Sequence, residues 1–322
     1  MKILTAILPI ILGFLLDALL GDPYNFPHPI RLIGKLISSL ESDIRHRKRF
    51  RNLKIGGFCI HFVVFWLTTG ISVFLVNLGH ELHPALGIAV ETVLCYYMLA
   101  ARCLRNESEK VRKAAENGDI EGARQAVSMI VGRDTAVLDE AGILRAAVET
   151  VAENTSDGVT APLFYMAFGG GVAACAYKAA NTMDSMLGYK NEKYQDIGFF
   201  SAKFDDAVNF IPSRLTALLM IVAAFILRYD AKNAWRIWRR DRRNHASPNS
   251  AQTESVCAGA LGLRLAGDAY YFGELHKKPY IGDDLRPIEP EDIRRANKLM
   301  YVTAVLMLIL SCTIRGIMGG LL

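Results

Sequence analysis

What this 322-residue chain lacks is the usual equipment for holding a nucleotide or cleaving an acyl bond. There is no G-x-x-x-x-G-K-[ST] loop and no G-x-G-x-x-G turn, so a nucleotide would have to bind outside a P-loop or dinucleotide fold. G-x-S-x-G and H-E-x-x-H are also missing, which removes the nucleophile-elbow hydrolases and the zincins. The six cysteines form no C-x-x-C pair. Cys59, Cys95, Cys175 and Cys312 fall in apolar stretches, Cys103 at the end of one and Cys257 in a loop. They read as small buried hydrophobes in a reducing compartment. No small-residue cleavage site follows the apolar residues 3–20, so these are a retained first helix rather than a signal peptide. No stretch alternates as a strand, and no internal repeat or low-complexity segment is evident.

Apolar length is abundant. Hydrophobic residues make up 52% of the chain and mean hydropathy is positive, whereas about 45–50% apolar is ordinary for a soluble domain. The charged fraction of 21% is too high for membrane helices alone. The expected fold is therefore all-α, a polytopic membrane protein of four to six spans with helical polar loops, forming one domain over 1–322. Runs of spanning length lie at 3–20, 55–78, 84–101, 207–227 and 300–321, since about 20 residues cross the hydrocarbon. Residues 160–177 are a weaker candidate, in which Gly169-Gly170-Gly171 suits tight packing or a re-entrant break. The net charge of +5 is concentrated in two basic runs, 45–54 and 236–243. Both abut apolar stretches, so they read as juxtamembrane and cytoplasmic rather than nucleic-acid-binding. The polar regions 21–54, 102–159 and 228–299 then face the cytoplasm, and a broken or re-entrant arrangement keeps 178–206 there too. The stretch 244–290 reads as irregular with short helices.

Polar residues are densest between 128 and 214. In ETVAENTSDG, Glu149 and Glu153 share a helical face, and Asn154 and Asp157 extend the patch toward a helix end at Gly158. Two adjacent carboxylates repel unless a cation or proton lies between them. In YKAANTMDSMLGY, Asn181, Asp184 and Ser185 share a face one turn from Lys178; oxygen ligands beside a cation suit Mg²⁺ with a phosphate. KFDDAVNFIPSR adds Asp205, Asp206 and Asn209, more acid than an N-cap needs, and Arg214. Arg133 and Asp134 follow Gly132 as a phosphate contact. At the N-terminus, Asp17 inside an apolar helix needs a partner, for which Arg31 is a candidate. His28 between two prolines is equally a turn element or a ligand contact. His80 and His83 read as an exposed loop rather than a metal site.

Taken in order, GDPYNFPHPIRLIG, SMIVGRDT, ETVAENTSDGVTAPLFY, YKAANTMDSMLGY, FDDAVNFIPSRLTA and SPNS…AGALGLRLAG…YYFGE resemble adenosylcobinamide-phosphate synthase, the membrane-bound cobalamin-biosynthesis family. The resemblance spans residues 17–283 and departs at SPNSAQTES, where the family pattern has a Gly and an aromatic after SPNS. It implies ATP-dependent amide synthesis at the cytoplasmic face of a prokaryotic plasma membrane. The propionate of adenosylcobyric acid is joined to the amine of (R)-1-aminopropan-2-yl phosphate through an acyl phosphate, with ATP and Mg²⁺ as cofactors. Other cobalamin-pathway enzymes are candidate partners.

On that basis Asp184, Asp205, Asp206 and Asn209 are expected to hold Mg²⁺. Glu149 or Glu153 is expected as a further ligand or as the base for the substrate ammonium. Lys178, Arg133 with Asp134, and Arg214 are expected to contact phosphate, and Asn154, Asp157, Asn181 and Ser185 to orient these groups. Asn249, Arg264 and Tyr271 belong to a loop expected to cover the corrinoid. The residues alone are also compatible with an intramembrane Mg²⁺-dependent prenyltransferase or a transporter.

Overall fold

A computed structural model describes residues 2–22, 27–46, 52–189, 191–271 and 273–321. Residues 23–26 of the first motif and 47–51 of the first basic run lie outside them. The helices in chain order are α1 (Lys2–Leu20), α2 (Pro29–His46), α3 (Leu53–Leu82), α4 (Pro84–Met98), α5 (Ala101–Glu116), α6 (Ile120–Ser128) and α7 (Glu140–Asn154). A π-helical turn, Thr155–Thr160, leads into α8 (Ala161–Leu187). Then follow α9 (Phe199–Val208), α10 (Phe210–Ile226), α11 (Ala231–Asp241), α12 (Ser250–Leu261) and α13 (Glu291–Leu321). Between α12 and α13 lie four strands of three residues: β1 (Arg264–Ala266), β2 (Ala269–Tyr271), β3 (Glu274–His276) and β4 (Tyr280–Gly282).

The protein is an all-α polytopic membrane protein. Five helices are long and apolar enough to cross a bilayer, and a bent pair, α9 with α10, would make a sixth. Large apolar side chains stand exposed along α3, among them Phe58, Phe62, Trp66 and Phe74. A face of this kind is costly in water and ordinary against lipid tails.

The chain forms two compact units, residues 1–100, 162–209 and 308–322 in the first and 101–161 and 210–307 in the second. In the first, Ile33, Ile37, Ile60, Val64, Met183 and Ile197 build a core between α2, α3 and α8. Cys95 is fully buried, as expected, and lies where a side chain on Gly13 would collide, so α1 and α4 pack backbone to side chain. His28 accepts the Ile30 N–H through Nδ1 (3.2 Å) and pairs with Asp22 (3.3 Å), which makes it a helix-entry element. In the same way, His83 caps α4 by accepting the Ala85 N–H at 3.1 Å. Asp17 is completely buried. In the second unit, α11 packs on α12, α5 on α6, and α7 on α12.

The break expected in α8 is present. Gly169 and Gly170 leave the helical region, Gly170 at φ 59°, ψ −151°, which is open only to glycine. In an apolar setting the backbone groups freed by the break need partners. Glu91 accepts the Gly171 N–H (3.3 Å), Arg315 donates to the Phe168 carbonyl (3.1 Å), and the two side chains face each other at 3.9 Å.

Three expectations are corrected. The helix does not end at Gly158: the π-helical turn carries it on into α8, and Thr160 Oγ1 donates to the Thr155 carbonyl five residues back (2.9 Å). The span expected over 207–227 starts at Phe210 and is bent by 46° from α9. Pro212, with no N–H to give, fits the first turn of the new helix. Residues 244–290 contain a long buried helix and two antiparallel ladders, β1 with β4 and β2 with β3. Three-residue strands are too short for alternation to register in sequence.

Gly170→Ala should lower thermal stability in detergent by about 1–3 kcal/mol, the cost of a side chain in a glycine-only conformation. Gly316→Ala, on a regular helix with ordinary clearance, serves as the control.

Candidate functional site

In the first unit the motif residues form a chain of hydrogen bonds. Asp205 lies inside α9 and is not a cap; it is 7% exposed. Its Oδ2 accepts from Asn209 Nδ2 (3.0 Å) and its Oδ1 from Asn181 Nδ2 (3.4 Å). Tyr177 donates to Asn209 Oδ1 (2.8 Å), and Lys178 Nζ approaches Asn181 Oδ1 (3.5 Å). Tyr165 stacks on Tyr177 with centroids 5.0 Å apart and donates to the Val208 carbonyl at the end of α9. Asp184 lies one turn beyond Asn181. Asp206 faces Lys203 at 3.8 Å, and Ser185 donates to the Asn181 carbonyl of its own helix (2.9 Å). The structure thus joins Lys178, Asn181, Asp205 and Asn209, and gives Ser185 a local bond.

In the second unit Glu149 is the pivot. It is 3% exposed on α7 and is met by Arg133 from the loop after α6. Its other oxygen accepts the Ala266 N–H at 2.6 Å. Ala266 holds φ 58°, a left-handed conformation that costs a non-glycine residue about 1–2 kcal/mol. That strained amide points at the carboxylate. Burial works against the Arg133 cation, but Glu149, Tyr271 and Glu254 together more than offset it, so the guanidinium is held above its ordinary range.

One turn on, Glu153 Oε1 accepts from Ser250 Oγ (2.8 Å). The two carboxylates that would repel each other are therefore served by a cation on one and a hydroxyl on the other. A third acid was not expected from the sequence. Glu254 lies on α12, whose residues are all buried, and its carboxyl is pushed well above the usual range by burial, then by Glu153 and Glu149. Arg133 and Lys278 pull it the other way. Three acids beside two cations balance when Glu254 keeps its proton. His245 is held below its ordinary pKa by burial, with Glu153 opposing and Lys278 adding to the effect, so it is a neutral imidazole. Lys278 donates to the Tyr271 hydroxyl (2.7 Å).

The remaining candidates have specific places. The Asp134 N–H donates to the Tyr270 carbonyl (2.9 Å) and its carboxylate accepts the Gly273 N–H (2.7 Å), so Asp134 anchors the β2–β3 hairpin. Asn154 donates to the Thr150 carbonyl (3.0 Å), and Asp157 stands half-buried on the π-helical turn. Such turns recur at functional sites. Arg214 stacks on Phe210 and donates to the Asn249 side chain (3.1 Å) and the Pro248 carbonyl (3.3 Å). Asn249 is buried, and Arg264 lies over Tyr280 and pairs with Asp284 (3.0 Å). Arg214, Arg242, Arg243 and His245 line a cavity of about 490 Å³ with Phe210 and Gln252.

Glu254 had a signal in sequence, a single acid among the small residues of AQTESVCAGA. His245, Arg242, Arg243 and Lys278 had none as site residues; they come from a basic run and a polar loop.

A family model described as CobD/Cbib protein matches residues 10–300. The chain belongs to the CobD/CbiB family. It is 50% identical over 310 residues to the cobalamin biosynthesis protein CobD of Clostridium perfringens, covering 96% of this chain and 98% of that one. The protein so named in Citrobacter koseri is 47% identical over 310 residues, 96% of this chain and 97% of the relative. The one in Listeria monocytogenes is 46% identical over 302 residues, 94% and 96%. No solved structure matches the chain. Membership of the CobD/CbiB family assigns the chain to cobalamin biosynthesis.

Glu254 gives a pH signature. Its pKa is raised on folding, so the stability it permits is fully present below the unfolded carboxyl value and is lost as pH rises toward the folded value. Glu254→Gln should flatten the fall in stability as pH rises above the ordinary carboxyl range, read by denaturation in detergent. An unchanged slope would mean that Glu254 is ionised in the native state.

Proposed function

We propose that this CobD/CbiB-family chain is an ATP-dependent amide ligase. In this reading it joins the propionate of adenosylcobyric acid to the amine of (R)-1-aminopropan-2-yl phosphate, giving adenosylcobinamide phosphate, ADP and phosphate. The observation that carries the proposal is the grouping in the second unit of a buried acid array, Glu149, Glu153 and Glu254, with a cavity lined by three arginines.

Such a ligation has two needs that side chains meet. The amine arrives as an ammonium and must lose a proton before it attacks. Glu153, oriented by the Ser250 hydroxyl, is the base in this reading. Glu254, carrying a proton, keeps the array from accumulating charge, and neutral His245 is a second acceptor. The other need is to hold phosphates while charge builds on them. Arg214, Arg242 and Arg243 supply guanidiniums that bind phosphate oxygens in pairs. Arg133, engaged by Glu149, orients that carboxylate rather than meeting phosphate.

Mg²⁺ is part of the proposal. Among the described residues no three His, Cys, Asp or Glu side chains converge as a metal cage. Asp205, with the Asn181 and Asn209 amides turned over to present oxygen, would fit an ion that keeps several waters and takes one or two protein carboxylates. Bound there, Mg²⁺ would offset negative charge within the first unit.

The test is a reaction on membranes holding the protein, with adenosylcobyric acid, aminopropanol phosphate, Mg²⁺ and ATP, read by mass spectrometry. The amide should form only with ATP. Glu153→Gln should lower kcat by about 10²–10⁴-fold, the range for a lost acid–base group. Arg242→Ala with Arg243→Ala should raise KM for a phosphate-bearing substrate more than it lowers kcat. Amide formation without ATP, or full activity in Glu153→Gln, would overturn the corresponding assignment. A prenyl diphosphate incubated in parallel should give no product.

A further inference from the structure

The second unit holds another cleft, of about 980 Å³, that contains none of the motif residues. One wall is α5, with Arg102, Arg105, Glu109, Lys110, Arg112 and Lys113; the other is the start of α13, with Arg294 and Lys298. Seven cations face one carboxylate. Glu109 is taken by Arg112 at 2.7 Å, and Lys110 by Glu107 at 2.8 Å. Among the described residues Arg105, Lys113 and Lys298 have no ion pair. Arg102 with Arg105, Lys110 with Lys113, and Arg294 with Lys298 are like charges at i,i+3 or i,i+4, an arrangement that destabilises a helix. The walls are rigidly tied, because Asn297 of α13 donates to Ser108 of α5 at 2.9 Å in the buried layer. Arg112 also meets Glu116, and Arg294 meets Glu291 at 3.7 Å, which leaves Arg105, Lys113 and Lys298 as the cations suited to an anion.

The rest of the lining shows which anion. Leu227, Tyr301 and Val302 complete the cleft. Leu227 follows directly on α10, an apolar helix whose last residues Phe225 and Ile226 are 75% and 53% exposed. Tyr301 stands where α13 changes from charged EDIRRANK to apolar VTAVLMLIL. A tyrosine at such a change, with cations on the polar side and exposed aliphatic groups on the other, is the pattern of a membrane–water interface. Inorganic phosphate gains nothing from an apolar floor, and a nucleotide base would use the Tyr301 ring alone, whereas a lipid has chains to lay along the exposed Phe225 and Ile226 as well. Basic pockets between membrane helices bind anionic head groups in this way.

We propose that this cleft binds the phosphate head group of an anionic phospholipid, with Arg105, Lys113 and Lys298 as the principal contacts. The site is independent of the ligase reading and stands or falls without it.

The experiment uses the full chain, delipidated in neutral detergent and placed in nanodiscs of phosphatidylcholine alone or with phosphatidylglycerol. Bound lipid is counted by native mass spectrometry after release, and unfolding temperature is measured in parallel. Wild type should retain phosphatidylglycerol over phosphatidylcholine and melt higher in the anionic discs. Arg105→Gln, Lys113→Gln and Lys298→Gln together should weaken retention roughly a hundredfold, about fivefold per cation removed. Lys298→Gln alone, at an exposed position, tests the same point should the triple variant not fold; about fivefold weaker retention is expected. Equal retention of the two lipids by wild type, or undiminished retention by Lys298→Gln, would overturn the proposal. So would a matching rise in melting temperature from millimolar inorganic phosphate or ATP in phosphatidylcholine discs that Lys298→Gln abolishes, which would assign the cleft to a soluble anion.

Discussion

A carboxylate taken out of water must be met by a cation, by donors or by a proton, and the second unit is arranged around how its buried acids meet that demand. Glu149 engages both of its oxygens. One draws Arg133 inward from the loop after α6, and the other holds the amide of Ala266 at the strand that closes against β4. Three segments far apart in sequence, near 133, 149 and 266, are thereby fixed to one another. Asp134 repeats the device on the next hairpin through Tyr270 and Gly273. The short strands have little ladder of their own, so these bonds from the 133–134 loop account for their placement.

The same requirement shapes the first unit, where the orphan groups belong to the backbone. Breaking α8 at Gly169–Gly170 would leave an N–H and a carbonyl unmet in an apolar setting, and Glu91 and Arg315 meet them. Charged residues inside apolar helices mark sites by default, yet here an acid and an arginine have a clear role in holding a bent helix together. Asp205 differs. Its partners are the amides of Asn181 and Asn209, which can turn over and present oxygen instead, so its surroundings are adaptable in a way that the Glu91–Arg315 arrangement is not.

Acid–base chemistry near neutral pH calls for groups of the same kind held in different protonation states. Glu254, whose carboxyl is pushed upward by burial and then by Glu153 and Glu149, supplies such a contrast within one array of acids. The arginines at Arg214, Arg242 and Arg243 separate cationic from acidic chemistry, with His245 shared between the cavity wall and the electrostatic field of Glu153.

The amino-acid sequence by itself determined the membrane-spanning helical class, because apolar length and the 3.6-residue period are local properties. It also marked Glu149, Glu153, Asn181 and Asp205, since polar residues standing in apolar helices are conspicuous wherever the chain later goes. The three glycines at 169–171 were conspicuous in the same way, but sequence left tight packing and a break as alternatives, and the structure shows the break. What only the tertiary structure decided is partnership. Nothing near Arg133 in sequence says that its carboxylate lies sixteen residues on, or that an alanine at 266 completes the arrangement. Glu254, His245 and Lys278 join the acids through packing of α12 and the loops around it. Hydrogen bonds and ion pairs act over about 3 Å in space irrespective of separation along the chain, so a sequence shows which groups need a partner and the fold alone shows which partner each one has.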